Sequence, residues 1–346
     1  MRVCDVYGSG FFYLPGTETC LKIGGYVRVD IRGGDYYGSA YVDDEHIGVR
    51  SAAGDETYNN RVRFQLRADA RSETEYGTLR SYAAINFNYQ VSGNNTPDYD
   101  MSDGMSIEHA YIELAGFRIG KTDSYFNTFT DYAGGVMNDT VVNYGPNTGS
   151  LQIAYTYTGG NGFAAGAALE QGDQGGVYYR ADLPYSGITQ DYTPYVVGGL
   201  SFTQGWGKIG VVAGYDSRNE EVAIKGRLDV KITETATVFV MGGWDSAGFD
   251  NANYYAQWAG DWGVWGGTSI KFNDKAKFNA QVGYDDGENL SVVANVAYDL
   301  VPGFTITPEV VYYSPDKGSN GNRLVNEDGD EFGDSWGFNL RFQRTF

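Results

Sequence analysis

Apolar and polar residues alternate along most of this chain. In residues 21–32, LKIGGYVRVDIR, leucine, isoleucine and valine fill one set of alternate positions, while lysine, tyrosine, arginine and aspartate fill the other. Residues 61–71, RVRFQLRADAR, and residues 78–91, TLRSYAAINFNYQV, repeat this pattern. A period of two over such lengths predicts β-strands whose two faces meet different surroundings.

The pattern continues to the C-terminus and predicts sixteen strands. Connections after even-numbered strands are short, as at Gly116 and Pro302-Gly303, whereas most connections after odd-numbered strands are long. Short turns that alternate with long loops around an even number of antiparallel strands are typical of outer-membrane barrels. We therefore predict an all-β fold, a 16-stranded antiparallel transmembrane β-barrel. The remaining strands are expected at 106–115, 117–121, 150–158, 163–170, 194–203, 207–216, 221–232, 236–245, 256–272, 276–284, 289–300, 304–313 and 336–346.

Aromatic residues at the strand ends favour a membrane barrel over a soluble sandwich, which would also show alternation. Such residues are expected to form belts at the two membrane interfaces. The last strand, SWGFNLRFQRTF, is expected to pair with the first, so that no strand edge is left unpaired in hydrocarbon. The residues assigned to the belts are Tyr155, Tyr157, Trp262, Trp265, Tyr298 and Phe342.

One long stretch, Lys121 to Gly149, interrupts the alternation. Its sequence, KTDSYFNTFTDYAGGVMNDTVVNYGPNTG, contains several aromatic residues and two adjacent glycines. A connection of this length without clear secondary structure is usually functional or disordered. Its aromatic residues favour packing on a surface over disorder. By the count of connections it is the third long one.

Composition narrows the functional classes. The chain has no run of 18 apolar residues, so it contains no transmembrane helix. The mean hydropathy of −0.39 remains compatible with a barrel, in which only alternate residues meet lipid. A net charge of −19 argues against nucleic acid as a partner. The acidic residues cluster in loop-like stretches, among them 43–45 and 327–331, which favours solvated loops; contact with divalent ions or lipopolysaccharide is the alternative.

Two cysteines and two histidines complete the candidate chemistry. Cys4 and Cys20 bracket a short segment and predict a disulfide formed in an oxidising compartment, with two free thiols as the alternative. His46 and His109 lack the spacing of metal ligands, and no nucleophile triad or phosphate-binding loop is recognisable. We therefore predict no enzyme activity, no metal and no cofactor. The first three residues lack the apolar segment of a signal peptide, so we expect that one has been removed and that Met1 was added.

Basic residues follow the polar register of the strands. An arginine on the lipid face near the midplane would cost about 2–4 kcal/mol, so this register predicts a wet lumen. Carboxylates of the 121–149 stretch that face a basic wall would set a transverse electric field, although each of them could instead cap a turn or meet solvent. The predicted pore wall comprises Arg28, Arg61, Arg63, Arg67, Arg80, Lys225 and Arg227, with Lys231 beside them, and the predicted constriction comprises Lys121, Asp123, Asp131 and Asp139.

Several segments resemble the porins of alphaproteobacteria such as Brucella and the rhizobia. They are CDVYG at 4–8, FFYLPGTETCLKIGGYVRVD at 11–30, YTGGNGF at 157–163 and LVPGFTITPEV at 300–310. The C-terminal FQRTF is similar to the outer-membrane assembly signal that ends in phenylalanine. YFNTF at 125–129 matches the family's EFHTF-like loop, with tyrosine where an acid is expected. The resemblance implies a homotrimer in which the third loop folds inward and narrows the pore.

These observations predict a general-diffusion porin of the bacterial outer membrane, which passes small hydrophilic solutes and ions and contacts lipid and lipopolysaccharide. The chain is expected to be a single porin barrel over 1–346, with a Cys-bracketed N-terminal segment at 1–20 and a constriction loop at 121–149, anchored by Phe126 and Phe129. The alternative is a channel specific for a sugar or a dicarboxylate, in which Tyr26, Tyr82 and Tyr111 would begin an aromatic track. The sign of the ion selectivity stays open, because the loop acids favour cations and the arginines favour anions.

Overall fold

A computed structural model describes residues 3–34, 36, 40–42, 47–49, 58–92, 100–172, 187–189, 191–317 and 333–346. Within these residues, sixteen long strands form one antiparallel sheet in which each strand pairs with its neighbours in the chain. The last strand pairs with the first, for example Phe342 with Val29, and this pairing closes the ring. The prediction of a 16-stranded antiparallel barrel is confirmed.

The strands have the following bounds. They are β1 Cys20–Gly34, β2 Arg61–Thr74, β3 Gly77–Ser92, β4 Asp100–Leu114, β5 Phe117–Asp123, β6 Gly149–Thr158, β7 Phe163–Gly172, β8 Tyr195–Gln204, β9 Gly207–Asp216, β10 Glu221–Lys231, β11 Ala236–Asp245, β12 Trp262–Lys271, β13 Ala276–Asp285, β14 Leu290–Val301, β15 Phe304–Ser314 and β16 Ser335–Thr345. Shorter elements are a 3₁₀ turn at Asp5–Tyr7, a strand at Phe12–Tyr13 that pairs with β1, a hairpin of Ala40–Val42 with Ile47–Val49, and a one-turn helix at Tyr125–Thr128.

Burial along the strands alternates in the sense that a membrane barrel requires. On β9, the outward-facing Val211 is 43% exposed, whereas the inward-facing Val212 is 1% exposed. The exposed positions of most strands are apolar, and the buried positions include charged and amide side chains. A soluble protein has the opposite arrangement, so hydrocarbon is the solvent that suits the outer face.

Two sequence predictions about β12 are wrong. The strand covers 262–271 rather than 256–272, and residues 256–261 belong to the preceding loop. Trp265 was assigned to an interfacial belt, but it is buried inside the barrel, where its Nε1–H donates to the Val142 carbonyl at 2.8 Å. Trp262 and Trp265 are three residues apart, so a period of two places them on opposite faces. Trp262 is exposed on the outside, as are Tyr155, Tyr157 and Tyr298.

The predicted disulfide between Cys4 and Cys20 is confirmed. Cys20 shares the inward face of β1 with Lys22, whose Nζ donates to the Ser9 carbonyl at 3.1 Å. The Tyr7 hydroxyl donates to the Glu73 carboxylate at 2.7 Å, at the end of β2 that leads into the short turn to β3. The N-terminal segment therefore packs on the inner face of the barrel, at the end that carries the short turns.

Some expectations concern residues outside the described ranges, namely His46 and the acidic stretches 43–45 and 327–331. In the described part, no helix is long and apolar enough to cross a membrane. Nor do three or more His, Cys, Asp or Glu side chains of that part come together in a way that could hold a metal ion.

Candidate functional site

The third long loop, residues 124–148, folds into the barrel and lies against its inner wall. It begins at Ser124, whose hydroxyl caps the short helix by accepting from the Phe126 N–H at 3.3 Å. The chain then runs along the wall as far as β15 and returns to β6. These contacts hold the stretch that interrupts the alternation against the inner wall.

A buried glutamate on β7 holds the start of the loop. Glu170 is 1% exposed. Its carboxylate accepts hydrogen bonds from the Ser124 hydroxyl at 2.8 Å and from the Tyr125 N–H at 2.5 Å. It also accepts from the Tyr255 hydroxyl at 3.0 Å. A buried carboxylate is stable only with such donors, so β7 and the loop entry stabilise one another.

Glycines of the wall allow the loop aromatics to approach closely. The Phe129 ring lies against Gly199 on β8, where a Cβ atom would come within 2.5 Å of the ring. The Tyr125 hydroxyl lies over Gly166 on β7 and bonds to the Thr156 hydroxyl at 2.6 Å. Phe126 and Phe129 are 0% and 8% exposed. The inner wall is thus the surface that the aromatic residues of the stretch pack on.

The far end of the loop is held by a second buried glutamate, on β15. Glu309 accepts from the backbone N–H groups of Met137, at 2.5 Å, and Asn138, at 2.9 Å. It also accepts from the Tyr36 hydroxyl and the Asn295 amide, each at 2.8 Å. Four donors on one carboxylate fix the position of the loop tip across the barrel from its entry.

Two cations predicted to line the pore lie beneath this loop instead. Lys225 is 0% exposed; its Nζ donates to Asn127 Oδ1 at 2.7 Å and to the Tyr144 carbonyl at 3.0 Å. Arg227 is also buried, and its guanidinium donates to the Tyr132 carbonyl. Both residues lie on β10, which the loop covers, so the prediction that they form open pore wall is corrected.

The predicted loop charges are placed differently from one another. Asp131 is 56% exposed and pairs with Lys208 at 2.8 Å, and Asp123 accepts a hydrogen bond from the Tyr132 hydroxyl. The Asp139 carboxylate accepts instead from the buried Tyr144 hydroxyl at 2.6 Å. Lys121 lies on β5 directly opposite Leu151, which is exposed on the outer face, so the prediction that Lys121 lines the constriction is corrected. Asp131 on the loop and Asp123 at the end of β5 therefore remain the predicted lumen charges, whereas Asp139 belongs to the packing of the loop.

Substituting Asp139 by asparagine is expected to flatten the pH dependence of loop docking. Burial raises the pKa of the Asp139 carboxyl to about 6. The docked loop therefore binds this proton more tightly than an undocked one, so docking is strongest below the ordinary carboxyl pKa and weakens as the pH rises towards 6. The change amounts to about 2–3 kcal/mol. Protease sensitivity of the loop between pH 4 and 7 measures it; an equal pH slope in wild type and Asp139→Asn would contradict the assignment.

The loop leaves uncovered the wall formed by β1–β5 and the C-terminal half of β16. The first half of β16 contacts the loop, where the buried Asn339 amide donates to the Met137 sulfur at 4.0 Å. The inward side chains of the uncovered wall are mostly half-buried. On β6–β15, by contrast, the inward side chains are buried in the middle of the barrel and at the end that carries the long loops. The half-buried set includes the predicted Arg28, Arg61, Arg63, Arg67 and Arg80. The open part of the lumen therefore lies between the arginine wall and the third loop. His109 also faces this space, and its ring packs near Tyr82 and Tyr111.

A second loop, residues 246–261, also folds inward, and the sequence reading missed it. Tyr254, Tyr255 and Trp258 are buried. Carboxylates at three strand ends hold the loop: Asp216 accepts from the Tyr254 N–H at 2.9 Å, Asp245 from the Asn253 amide at 2.6 Å, and Asp285 from the Ala259 N–H at 3.0 Å. The signal was present, because GYD, GWD and GYD recur at 214–216, 243–245 and 283–285.

A family model described as "Porin subfamily" matches residues 1–335 of the chain. The chain belongs to this porin family. It is 45% identical over 359 residues to Porin Omp2b of Brucella suis and 44% identical over 350 residues to Porin Omp2b of Brucella canis. Each alignment covers 100% of this chain and 90% of the relative.

Solved structures of other porins share the fold. The outer membrane channel DcaP of Acinetobacter baumannii aligns over 96% of this chain and 99% of its own, with a TM-score of 0.69 and 16% identity. A triple mutant of the Rhodopseudomonas blastica porin aligns over 94% and 100%, with a TM-score of 0.56 and 13% identity. An anion-selective porin from Comamonas acidovorans aligns over 95% and 100%, with a TM-score of 0.54 and 13% identity. As a porin, the chain is a general-diffusion channel of the bacterial outer membrane.

Proposed function

We propose that hydrophilic solutes and ions cross this porin passively through the space between the arginine wall and the third loop, without catalysis. One observation carries the proposal: the loop covers the inner faces of β7–β15 and of the first half of β16, and it leaves those of β1–β5 and the C-terminal half of β16 uncovered. Water in that space hydrates the solute and the wall together. Passive diffusion needs only such a wet path of suitable width and field.

Charges on the two sides of this path differ in sign. The uncovered wall carries a row of arginines. Negative charge comes from Asp131 of the loop and from Asp123, which lies at the end of β5 and accepts from the loop residue Tyr132. Such an arrangement produces a transverse field, which orients dipolar solutes and disfavours apolar ones. A channel specific for a sugar is less well supported. Tyr82 and Tyr111 lie 5.3 Å apart, but among the described residues no ring contact joins Tyr26 to this pair.

We further propose that three such barrels associate as a homotrimer in contact with lipid and lipopolysaccharide. Conductance in a planar bilayer tests the whole proposal. Ohmic current that rises in groups of three equal steps is expected. Current that saturates with a sugar would favour the specific channel, and absence of any channel from folded protein would exclude both.

Replacing Asp131 by asparagine is expected to shift the selectivity of the channel towards anions. The substitution removes an exposed loop carboxylate and leaves Lys208 without its partner, so the local charge becomes more positive by one unit. The reversal potential in a KCl gradient is expected to move by several millivolts in the direction of chloride, because exposed charges are partly screened by salt. Asp274→Asn, an exposed residue of a short turn that pairs with Lys271, is the matched control. Equal reversal potentials for Asp131→Asn and wild type would remove Asp131 from the constriction.

A further inference from the structure

Three arginines of the uncovered wall have no carboxylate partner among the described residues. They are Arg28 on β1 and Arg63 and Arg67 on β2. The Nε–H of each donates to a neutral amide oxygen: Arg28 to Gln343 at 2.8 Å, Arg63 to Asn88 at 2.7 Å, and Arg67 to Gln65. These bonds fix each guanidinium and leave its two terminal NH₂ groups without a hydrogen bond to the described part of the protein.

The other inward-facing arginines of the same wall differ in this respect. Asp30 accepts from three of them, and Asp69 and Glu113 accept from the rest. The pairs are Arg32, Arg61 and Arg341 with Asp30, Arg71 and Arg80 with Asp69, and Arg80 and Arg118 with Glu113. Among the described inward-facing arginines of this wall, the lack of a carboxylate partner is therefore confined to Arg28, Arg63 and Arg67.

The positions of Arg28 and Arg63 make their lack of a counter-ion costly. The two residues are directly opposite each other in the β1–β2 register. Side chains at such positions have Cβ atoms about 5 Å apart, and like charges placed there repel each other. An anion between the two guanidinium groups would remove the repulsion.

A tyrosine holds two of these guanidinium groups in place. The Tyr26 ring is buried, with the Arg28 guanidinium carbon 4.4 Å and the Arg67 guanidinium carbon 5.4 Å from its centroid. Stacking on an aromatic face and a fixed Nε–H restrict the rotamers of both arginines before any ligand binds. Preorganised donors lose less conformational entropy on binding than free side chains do.

We propose that Arg28, Arg63 and Arg67 form a saturable subsite for the oxyanion group of a permeating solute, a carboxylate or a phosphate. Guanidinium groups bind both through paired N–H···O hydrogen bonds. The subsite rests on the proposed path of permeation, since these side chains meet solutes only if the space beside them conducts. Because the arginines remain half-exposed to lumen water, the affinity is expected to be weak, on the order of millimolar.

Single-channel current in KCl with added inorganic phosphate, and separately with added succinate, tests the subsite. The KCl current is expected to fall with the concentration of at least one of these anions and to reach a plateau, because the bound anion occupies the path and neutralises arginines that attract chloride. In Arg28→Gln/Arg63→Gln the half-effect concentration is expected to rise about tenfold, since each lost charge-assisted hydrogen bond weakens binding. Phosphate and succinate arms together tell whether phosphate or carboxylate is the better ligand.

A matched control removes two cations elsewhere on the inner wall. Lys271→Gln/Lys277→Gln changes exposed lysines at the end of the barrel that carries the short turns, and its half-effect concentration is expected to equal that of wild type. Arg67→Gln alone provides a second variant that leaves the opposed Arg28–Arg63 pair unchanged, and it is expected to raise the half-effect concentration severalfold. Mobility of unheated samples in gels shows whether each barrel is folded.

Two results would overturn the subsite: linear dependence on both anions, or an unchanged half-effect concentration in both arginine variants. In each case the KCl current itself would still be ohmic. Failure of the folded wild-type protein to conduct in KCl alone would instead contradict the proposed permeation path. The two failures are therefore distinguishable.

Discussion

Deletion of residues 125–139 is expected to widen the channel and leave the barrel closed. The third loop occupies the lumen beside β7–β15, while all sixteen strand pairings, including β16 with β1, are made without it. Its removal uncovers Glu170, Lys225 and Glu309, which pore water can hydrate once the loop is gone. A sixteen-stranded barrel encloses an aqueous channel, so conductance is expected to rise about twofold or more.

Single-channel conductance, together with the gel mobility of unheated protein, measures this effect. Phe126→Ala/Phe129→Ala is an informative companion, because it keeps the length of the loop but removes the two rings packed on the wall. It is expected to increase current noise more than mean conductance. A folded deletion variant with wild-type conductance would place the narrowest point elsewhere, for instance at the 246–261 loop or the N-terminal segment.

Replacing Glu309 by alanine is expected to release the tip of the third loop from β15. The substitution leaves the N–H groups of Met137 and Asn138 and the Tyr36 hydroxyl without their acceptor. Unpaired buried donors cost about 1–3 kcal/mol each, so docking of the tip is expected to weaken by about 3 kcal/mol or more. The channel is then expected to flicker between current levels as the loop leaves the wall and returns.

Current noise and proteolysis near Met137 test the prediction for Glu309. Asp299→Ala is the control, because Asp299 is an exposed residue near a short turn whose carboxylate accepts from the Thr305 hydroxyl and does not contact the loop. It removes one negative charge from the same side of the barrel without touching the loop. Equal noise and equal cleavage rates in the two variants would show that Glu309 does not hold the tip.

The architecture was predictable because lipid and water impose the same period on every strand. Alternation fixes which residues face outward, and the contrast between short turns and long loops fixes the number and direction of the strands. The interruption at 121–149 identified the third loop without any structure. The pairing of Cys4 with Cys20 followed from their being the only two cysteines.

The predictions about individual site residues were wrong where a loop covers the wall. The strand register determines whether a side chain faces into the barrel, but it does not show whether a loop then packs over it. Lys225 and Arg28 both occupy inward positions, yet the loop buries the first and leaves the second half-exposed. Asp139 was read as a lumen charge because a sequence does not show which way a loop carboxylate turns. Trp258 was assigned to the predicted strand 256–272 because the 246–261 loop continues into β12 without a break in composition. Tyr254 was assigned to a loop, but its sequence does not show that this loop turns inward.

The off-centre position of the pore divides the chain into two parts with different tasks. On the proposed permeation path, solutes touch the inner faces of β1–β5 and the C-terminal half of β16, while the third loop rests on the inner faces of β6–β15. Exchanging the first part between related porins should therefore transplant permeability and leave the surface beneath the loop intact. Sequence differences in β1–β5 would then alter which solutes enter the cell. Differences in β6–β15 would alter how long the channel stays open between fluctuations of the loop.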